Sequence, residues 1–438
     1  MSNRLKFAIV FLIVNLHVFR NLSLVLYMMI YGPMVLVIAV NFLTRAYRGQ
    51  LARFGSVFYL WVGFAFSAFF VSLLLISPAG AVNGLARFLF AAPIFMALVL
   101  YTDGADDLRK HLTTFVVFFA AAGLSLPLQF VVGPMSWFAE SSVRAGLERY
   151  SSLIGSLTSI GVIVGCYIVL VQGMKSRFKI LFVAGMIFPA VVSLNKAALV
   201  NVAIALLGLM FLNRRSMSRI MVGSTIAVTG SLLAYSSLPL VQERVVATLQ
   251  SFGLQSSSNV IFRDDVSVQS SMLDRLIDLP LANFLALGQI QSPLAYLVGG
   301  GYGMGNTALV PAADALAPMA HNQYAELISV FGFVGGVVLI FVMIRIQYQL
   351  IKRSKSTASG PLSPIAVAFF IFSLNSFFAN GTLYQPASAS IFYLAMFAAS
   401  SSIFVQRLEA LELVAKVGTL AVPPNSAVLL RTNVKEKS

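Results

Sequence analysis

The sequence predicts an all-α protein: a polytopic membrane bundle of about twelve spanning helices, with one large external loop containing short helices. Three observations predict it. The 438 residues are 58% hydrophobic and only 10% charged, whereas a soluble domain carries about 25% charged residues. Apolar runs of roughly 18 residues or more recur along nearly the whole chain. Basic residues gather in the short stretches between those runs. Inside lipid a backbone must satisfy its own polar groups, so such runs are read as helices.

In chain order the spans fall at 6–19, 22–43, 55–77, 87–101, 112–133, 151–172, 179–193, 197–212, 219–236, 322–350, 362–380 and 388–406. The first follows Arg4 and Lys6, with no small-residue cleavage site after it, and is expected to be a retained helix rather than a signal peptide. Four connections are basic: Arg45, Arg48 and Arg53; Lys175, Arg177 and Lys179; Arg214, Arg215 and Arg219; Lys352, Arg353 and Lys355. The positive-inside rule puts all four in the cytoplasm, with both termini. Loops 78–86, 134–150, 194–196, 237–321 and 381–387 then fall outside, and Asp103, Asp106 and Asp107 inside. The organisation is 1–236 with about nine spans, a large external loop at 237–321, 322–406 with about three spans, and a cytoplasmic tail at 407–438.

The net charge of +15 follows from this topology and does not call for nucleic acid. The basic tail is expected to meet anionic lipid headgroups. The single cysteine, Cys166, lies in an apolar run, makes no disulfide within the chain and is expected to pack. The segment Leu273-Asp274-Arg275-Leu276-Ile277-Asp278-Leu279 is amphipathic and suits a helix lying along the membrane face.

Three features outside the membrane carry chemistry. His321 is one of three histidines. It ends the long loop and opens an apolar helix, where an imidazole titrating near neutral pH can take a proton from a hydroxyl. The plainer reading is that it caps its helix. His17 and His111 suit packing or interfacial positions. The second feature is external arginine, which runs against topology: Arg87, Arg144, Arg149, Arg244, Arg263 and Arg275. A guanidinium grips phosphate oxygens with two donors at once; surface pairing is the alternative. The third is Gly299-Gly300-Gly301-Tyr302-Gly303-Met304-Gly305. It lacks the Lys-Ser/Thr end of a nucleotide loop. Its backbone could approach a sugar or phosphate, or it could be a flexible turn. No His/Cys cluster has metal-ligand spacing, so no metal is expected.

Taken together, His321-Asn322, nine further residues, then Gly332-Phe333-Val334-Gly335 resembles the signature of the O-antigen ligase and O-antigen polymerase superfamily. Arg149-Tyr150-Ser151-Ser152-Leu153-Ile154-Gly155 resembles that family's arginine segment, and Lys196 stands where many members have arginine. Val330 occupies a position where many relatives carry an acid, with Glu326 one turn earlier. The resemblance covers roughly residues 140–350 in detail and the rest by topology. It implies an inner-membrane enzyme acting at the periplasmic face on a glycan carried by undecaprenyl pyrophosphate, with no cofactor. On this expectation His321 is the base, and Arg275 and Arg149 clamp the pyrophosphate. Arg144, Arg87, Asn322, Tyr324 and Lys196 bind substrate. The acceptor is a glycan or lipid A core, and a flippase and a chain-length regulator are the protein partners considered.

The pattern leans to a repeat-unit polymerase; a ligase shares the same signature. A lipid-linked oligosaccharide transporter is the reading from a different class. It would ask for internal repeats, interrupted helices and ionisable residues at mid-membrane, and no repeat is evident. A glycosyltransferase with an acidic first external loop is disfavoured because 78–86 contains no acid.

Overall fold

The computed structural model describes residues 3–19, 23–48, 56–135, 142–144, 147–149, 152–154, 157–192, 196–212, 225, 229, 277–290, 292, 294–305, 312–356, 360–379 and 381–401. They form a helical bundle. Five helical stretches are long and apolar enough to cross a membrane: Val25–Tyr47, Ser56–Leu75, Pro78–Tyr101, Ala105–Gln129 and Gln323–Ser354. Five shorter apolar helices accompany them. The predicted span 219–236 lies outside the described residues except for 225 and 229, as does the tail 407–438 entirely.

The helices are α1 (Asn3–Phe19), α2 (Leu24–Tyr47), α3 (Ser56–Leu75), α4 (Pro78–Phe88), α5 (Ala92–Tyr101), α6 (Ala105–Gly123), α7 (Ser125–Val132), α8 (Leu157–Leu170), α9 (Lys179–Val192) and α10 (Lys196–Leu212). Within the predicted large loop lie the short α11 (Leu279–Leu285) and α12 (Ala295–Val298), and after it come α13 (Gln323–Ser356), α14 (Leu362–Asn375) and α15 (Pro386–Ser400).

One boundary departs from expectation. Residues 78–86 form most of α4 rather than a loop. Ser77 starts the helix by accepting the Gly80 amide at 2.9 Å, and Pro78 occupies the first turn, where its fixed φ and missing N–H are harmless. Arg87 therefore stands inside the 78–101 stretch, just before a break at 89–91 that separates α4 from α5. At that break the Tyr31 hydroxyl donates to the Phe90 carbonyl.

The second departure is a hairpin of two three-residue strands, Ser142–Arg144 and Leu147–Arg149, in which Ser142 faces Arg149 and Arg144 faces Leu147. Arg144 and Arg149 thus belong to a turned connector ahead of α8, within the predicted loop 134–150.

Packing follows side-chain size. Gly161 and Gly165 lie four apart on α8 and let α10 come close. Asn201 donates to the Gly161 carbonyl at 2.7 Å, and a Cβ on Gly165 would stand 2.6 Å from the Asn201 carbonyl oxygen. Trp61 of α3 stacks on Phe88 with ring centres 4.9 Å apart and donates to Tyr393 of α15 at 3.1 Å. Cys166 is fully buried, and buried His111 stacks beside Phe7. Lys6 pairs with Asp103 at 2.5 Å, so α1 and the α5–α6 connection, predicted on one side, do meet. Arg353 of α13 donates to the Ala398 and Ser401 carbonyls, satisfying the end of α15.

Candidate functional site

α13 begins at Gln323, and its cap is Asn322 rather than His321. The Asn322 side-chain oxygen accepts the backbone N–H of Tyr324 at 2.9 Å and of Ala325 at 3.2 Å. That satisfies two of the first-turn donors every helix leaves open. His321 precedes the cap, half-buried. Its φ of 51° is the one positive value among the described non-glycine residues. Such backbone is uncommon for a residue with a Cβ and persists where the surroundings hold it.

A buried polar network begins two residues further on. Gln323 is fully buried and uses both ends of its amide. Its Nε2 donates to the Tyr384 hydroxyl at 3.0 Å and to Glu326 Oε2 at 3.2 Å. Its Oε1 accepts from Thr382 Oγ1 at 3.2 Å and from the Leu383 N–H at 3.4 Å. Its backbone N–H donates to the Ser376 carbonyl at 2.8 Å. Thr382 also meets Ser376 Oγ at 3.0 Å. The first turn of α13 is thereby fastened to the connection between α14 and α15. Glu326 is 1% exposed; burial, then the nearby Glu326, pushes the Tyr384 phenol far above its ordinary range. One turn on, the buried Ser329 hydroxyl has no hydrogen-bond partner among the described residues.

The glycine run is a packing element, replacing both expectations of it. Residues 301–304 form a buried turn. The Tyr302 hydroxyl donates to the Ala65 carbonyl at 2.7 Å, and its N–H donates to Ser72 Oγ at 2.7 Å. Gly300 donates to the Ser329 carbonyl at 3.0 Å. Asn283 holds the Met304 and Pro318 carbonyls at 3.0 and 2.7 Å. Asp314 accepts from Ser77 at 3.1 Å. The end of the large loop is thus built into the bundle wall beside α3, α4 and α13.

The signature glycines have a mechanical part in this. Gly332 has φ 72°, which breaks α13. A Cβ there would stand 2.1 Å from the Leu297 carbonyl oxygen of α12. On Gly336 it would stand 2.5 Å from the Ile328 Cα, so the two parts of α13 fold closely on each other.

Of the residues expected to act, Asn322 and Tyr324 hold the helix start. The Tyr324 hydroxyl donates to the Ser373 carbonyl at 2.9 Å and its ring lies 4.5 Å from Phe377. Arg87 is exposed and donates to Asn83 at 3.0 Å. Arg144, Arg149 and Lys196 have described backbones, but their side chains lie outside the described residues. Arg275 lies outside them altogether, with Arg244, Arg263 and most of the segment 273–279. Among the described residues no group of three or more His, Cys, Asp or Glu side chains gathers.

Sequence reasoning passed over Gln323 and Tyr384, and noted Glu326 only as an acid one turn before Val330. An acid and an amide early in an apolar span were the available signal, since polar groups there are costly without a purpose. No protein-family model matches the chain, and no curated protein is significantly similar to it.

Proposed function

We propose that this protein is a membrane glycosyltransferase that moves a glycan from a polyprenyl pyrophosphate carrier to a hydroxyl acceptor, as a repeat-unit polymerase for O-antigen or exopolysaccharide. The observation that carries the reading is the seating of His321. A general base must be open to its substrate on one side and rigid on the other. His321 is half-buried, on a constrained backbone, directly before a capped helix start pinned through Gln323. The resemblance of the residues that follow it supports the same reading.

In this reaction His321 takes the proton of the acceptor hydroxyl. The acceptor oxygen bonds to the anomeric carbon, and the bond from that carbon to the pyrophosphate oxygen breaks. The carrier pyrophosphate leaves with the electron pair. Arg275 and Arg149 stabilise the charge that grows on it, assisted by Arg144, Arg87 and Lys196. Asn322 and Tyr324 support the histidine turn. The reading places about twelve spans in the inner membrane, both termini in the cytoplasm and His321 at the periplasmic face. A flippase would deliver the donor, and a chain-length regulator is the other protein partner in this reading.

The test is glycan analysis of a deletion strain complemented with wild type or His321→Ala. The variant should reach the membrane at wild-type level and leave single repeat units on the surface. Full-length polymer with His321→Ala would overturn the assignment. Bare core with normal polymer on the carrier would instead make the protein a ligase.

A transporter of lipid-linked oligosaccharide is the second reading. The breaks at 89–91 and Gly332 and the buried carboxylate of Glu326 favour it. Under that reading the deletion strain holds its repeat units on the cytoplasmic leaflet.

A further inference from the structure

We propose that Glu326 is the acidic partner of His321, a fixed negative charge that orients and stabilises the imidazolium formed when His321 takes a proton. Glu326 follows one turn after Asn322, closing the first helical bond to its carbonyl at 3.0 Å. Helical side chains lean toward the N-terminus, and here the carboxylate is drawn back to Gln323 at 3.2 Å, toward the His321 end. The Gln323 amide donates to it, and the Tyr384 hydroxyl stands on the same amide nitrogen; a buried ionised carboxylate requires such donors. The helix N-terminus adds a further preference for negative charge. A base oriented by a third group is how nucleophile–base pairs are generally arranged.

Of the phenols on the elements packed against α13, Tyr384 from the 376–385 connection meets the same Gln323 amide nitrogen as this carboxylate, whereas Tyr302 donates to the Ala65 carbonyl and Tyr393 accepts from Trp61. Tyr296 lies on α12, and Tyr59 on α3 is half exposed. Asp278 is exposed ahead of α11, and Asp314 accepts from Ser77.

The inference rests on His321 being the base, yet its first test does not depend on turnover. Full-length protein labelled with 15N at its histidine rings is titrated in detergent micelles, with the His321 signal identified by its loss in His321→Ala. Glu326→Gln keeps the shape and one acceptor oxygen while removing the charge. The apparent pKa of His321 should fall by about one unit in this variant, because an opposite charge nearby favours the protonated ring. An unchanged His321 titration would overturn the pairing. If Glu326→Gln does not accumulate, Glu326→Asp serves, with a smaller fall expected and an unchanged value again overturning the pairing. The second arm is transfer in proteoliposomes, using lipid-linked glycan extracted from the deletion strain. There Glu326→Gln should lose about tenfold or more in turnover. If His321→Ala transfers at the wild-type rate, the enzymatic reading fails while the titration stands by itself. If His321→Ala is inactive and the titration is unmoved in Glu326→Gln, only the pairing fails.

Discussion

The side-chain amide of Gln323 donates to the hydroxyl of Tyr384 across 3.0 Å, joining the start of one helix to a connection 61 residues further along the chain. Around that bond Glu326, Thr382 and Ser376 complete a buried polar network in a protein whose other helix contacts are mainly apolar and aromatic. Low local dielectric strengthens such a network and makes each broken link costly.

Gln323→Leu should therefore destabilise the protein by roughly 2–4 kcal/mol, because Thr382, the Leu383 amide and Glu326 each lose a partner. Thermal unfolding in detergent measures it. A midpoint equal to wild type would mean that the network does not clamp the helix start.

Gly332→Ala should fail for two independent reasons. Its φ of 72° is strained for alanine, and the new Cβ would meet the Leu297 carbonyl at 2.1 Å. A cost above about 3 kcal/mol and little protein in the membrane fraction are expected. Gly63→Ala on α3 is the control, since its Cβ meets nothing within 4 Å. It should accumulate at least as well as wild type, because alanine suits a helix interior better than glycine.

Gly84 and Tyr302 should behave as a coupled pair. A Cβ on Gly84 would lie 2.5 Å from the Tyr302 ring, so Gly84→Ala alone should unfold at a lower temperature. Combined with Tyr302→Leu it should cost less than the sum of the two single changes, as contacting sites do. Strict additivity in a double-mutant cycle would contradict the described packing.

If arginines carry the pyrophosphate charge, glycan transfer should continue in EDTA. Arg275→Lys should lose most of its turnover, since lysine lacks the planar two-donor fork. Complete loss of activity in EDTA would put a metal into the mechanism, and wild-type turnover with lysine would remove Arg275 from the clamp.

Much of the frame was legible along the chain. Expected spans at 55–77 and 322–350 correspond to α3 and the body of α13, because long apolar windows have few folded alternatives, while those at 179–193 and 197–212 fall on the shorter helices α9 and α10. His321 at the start of a helix was legible too. Its exemption from capping was not: Asn and His are both polar neighbours of an apolar run, and only backbone geometry tells which one folds onto the first turn. The α4 helix was hidden because alanine and glycine give little hydropathy, although Ser77-Pro78 was a readable start signal.

What the sequence by itself determined is the apolar surroundings of this protein, the helical state of most of its described backbone and the position of an ionisable histidine at a helix start. Those are local properties, set residue by residue by transfer energies and hydrogen-bond satisfaction in lipid. The tertiary structure decided that the glycine run packs in the wall, that Gly332 breaks its helix against α12, and that Gln323 and Glu326 share a buried network with Tyr384. Those outcomes depend on which distant segments approach within a few ångströms, and hydropathy averaged along a chain carries no record of that.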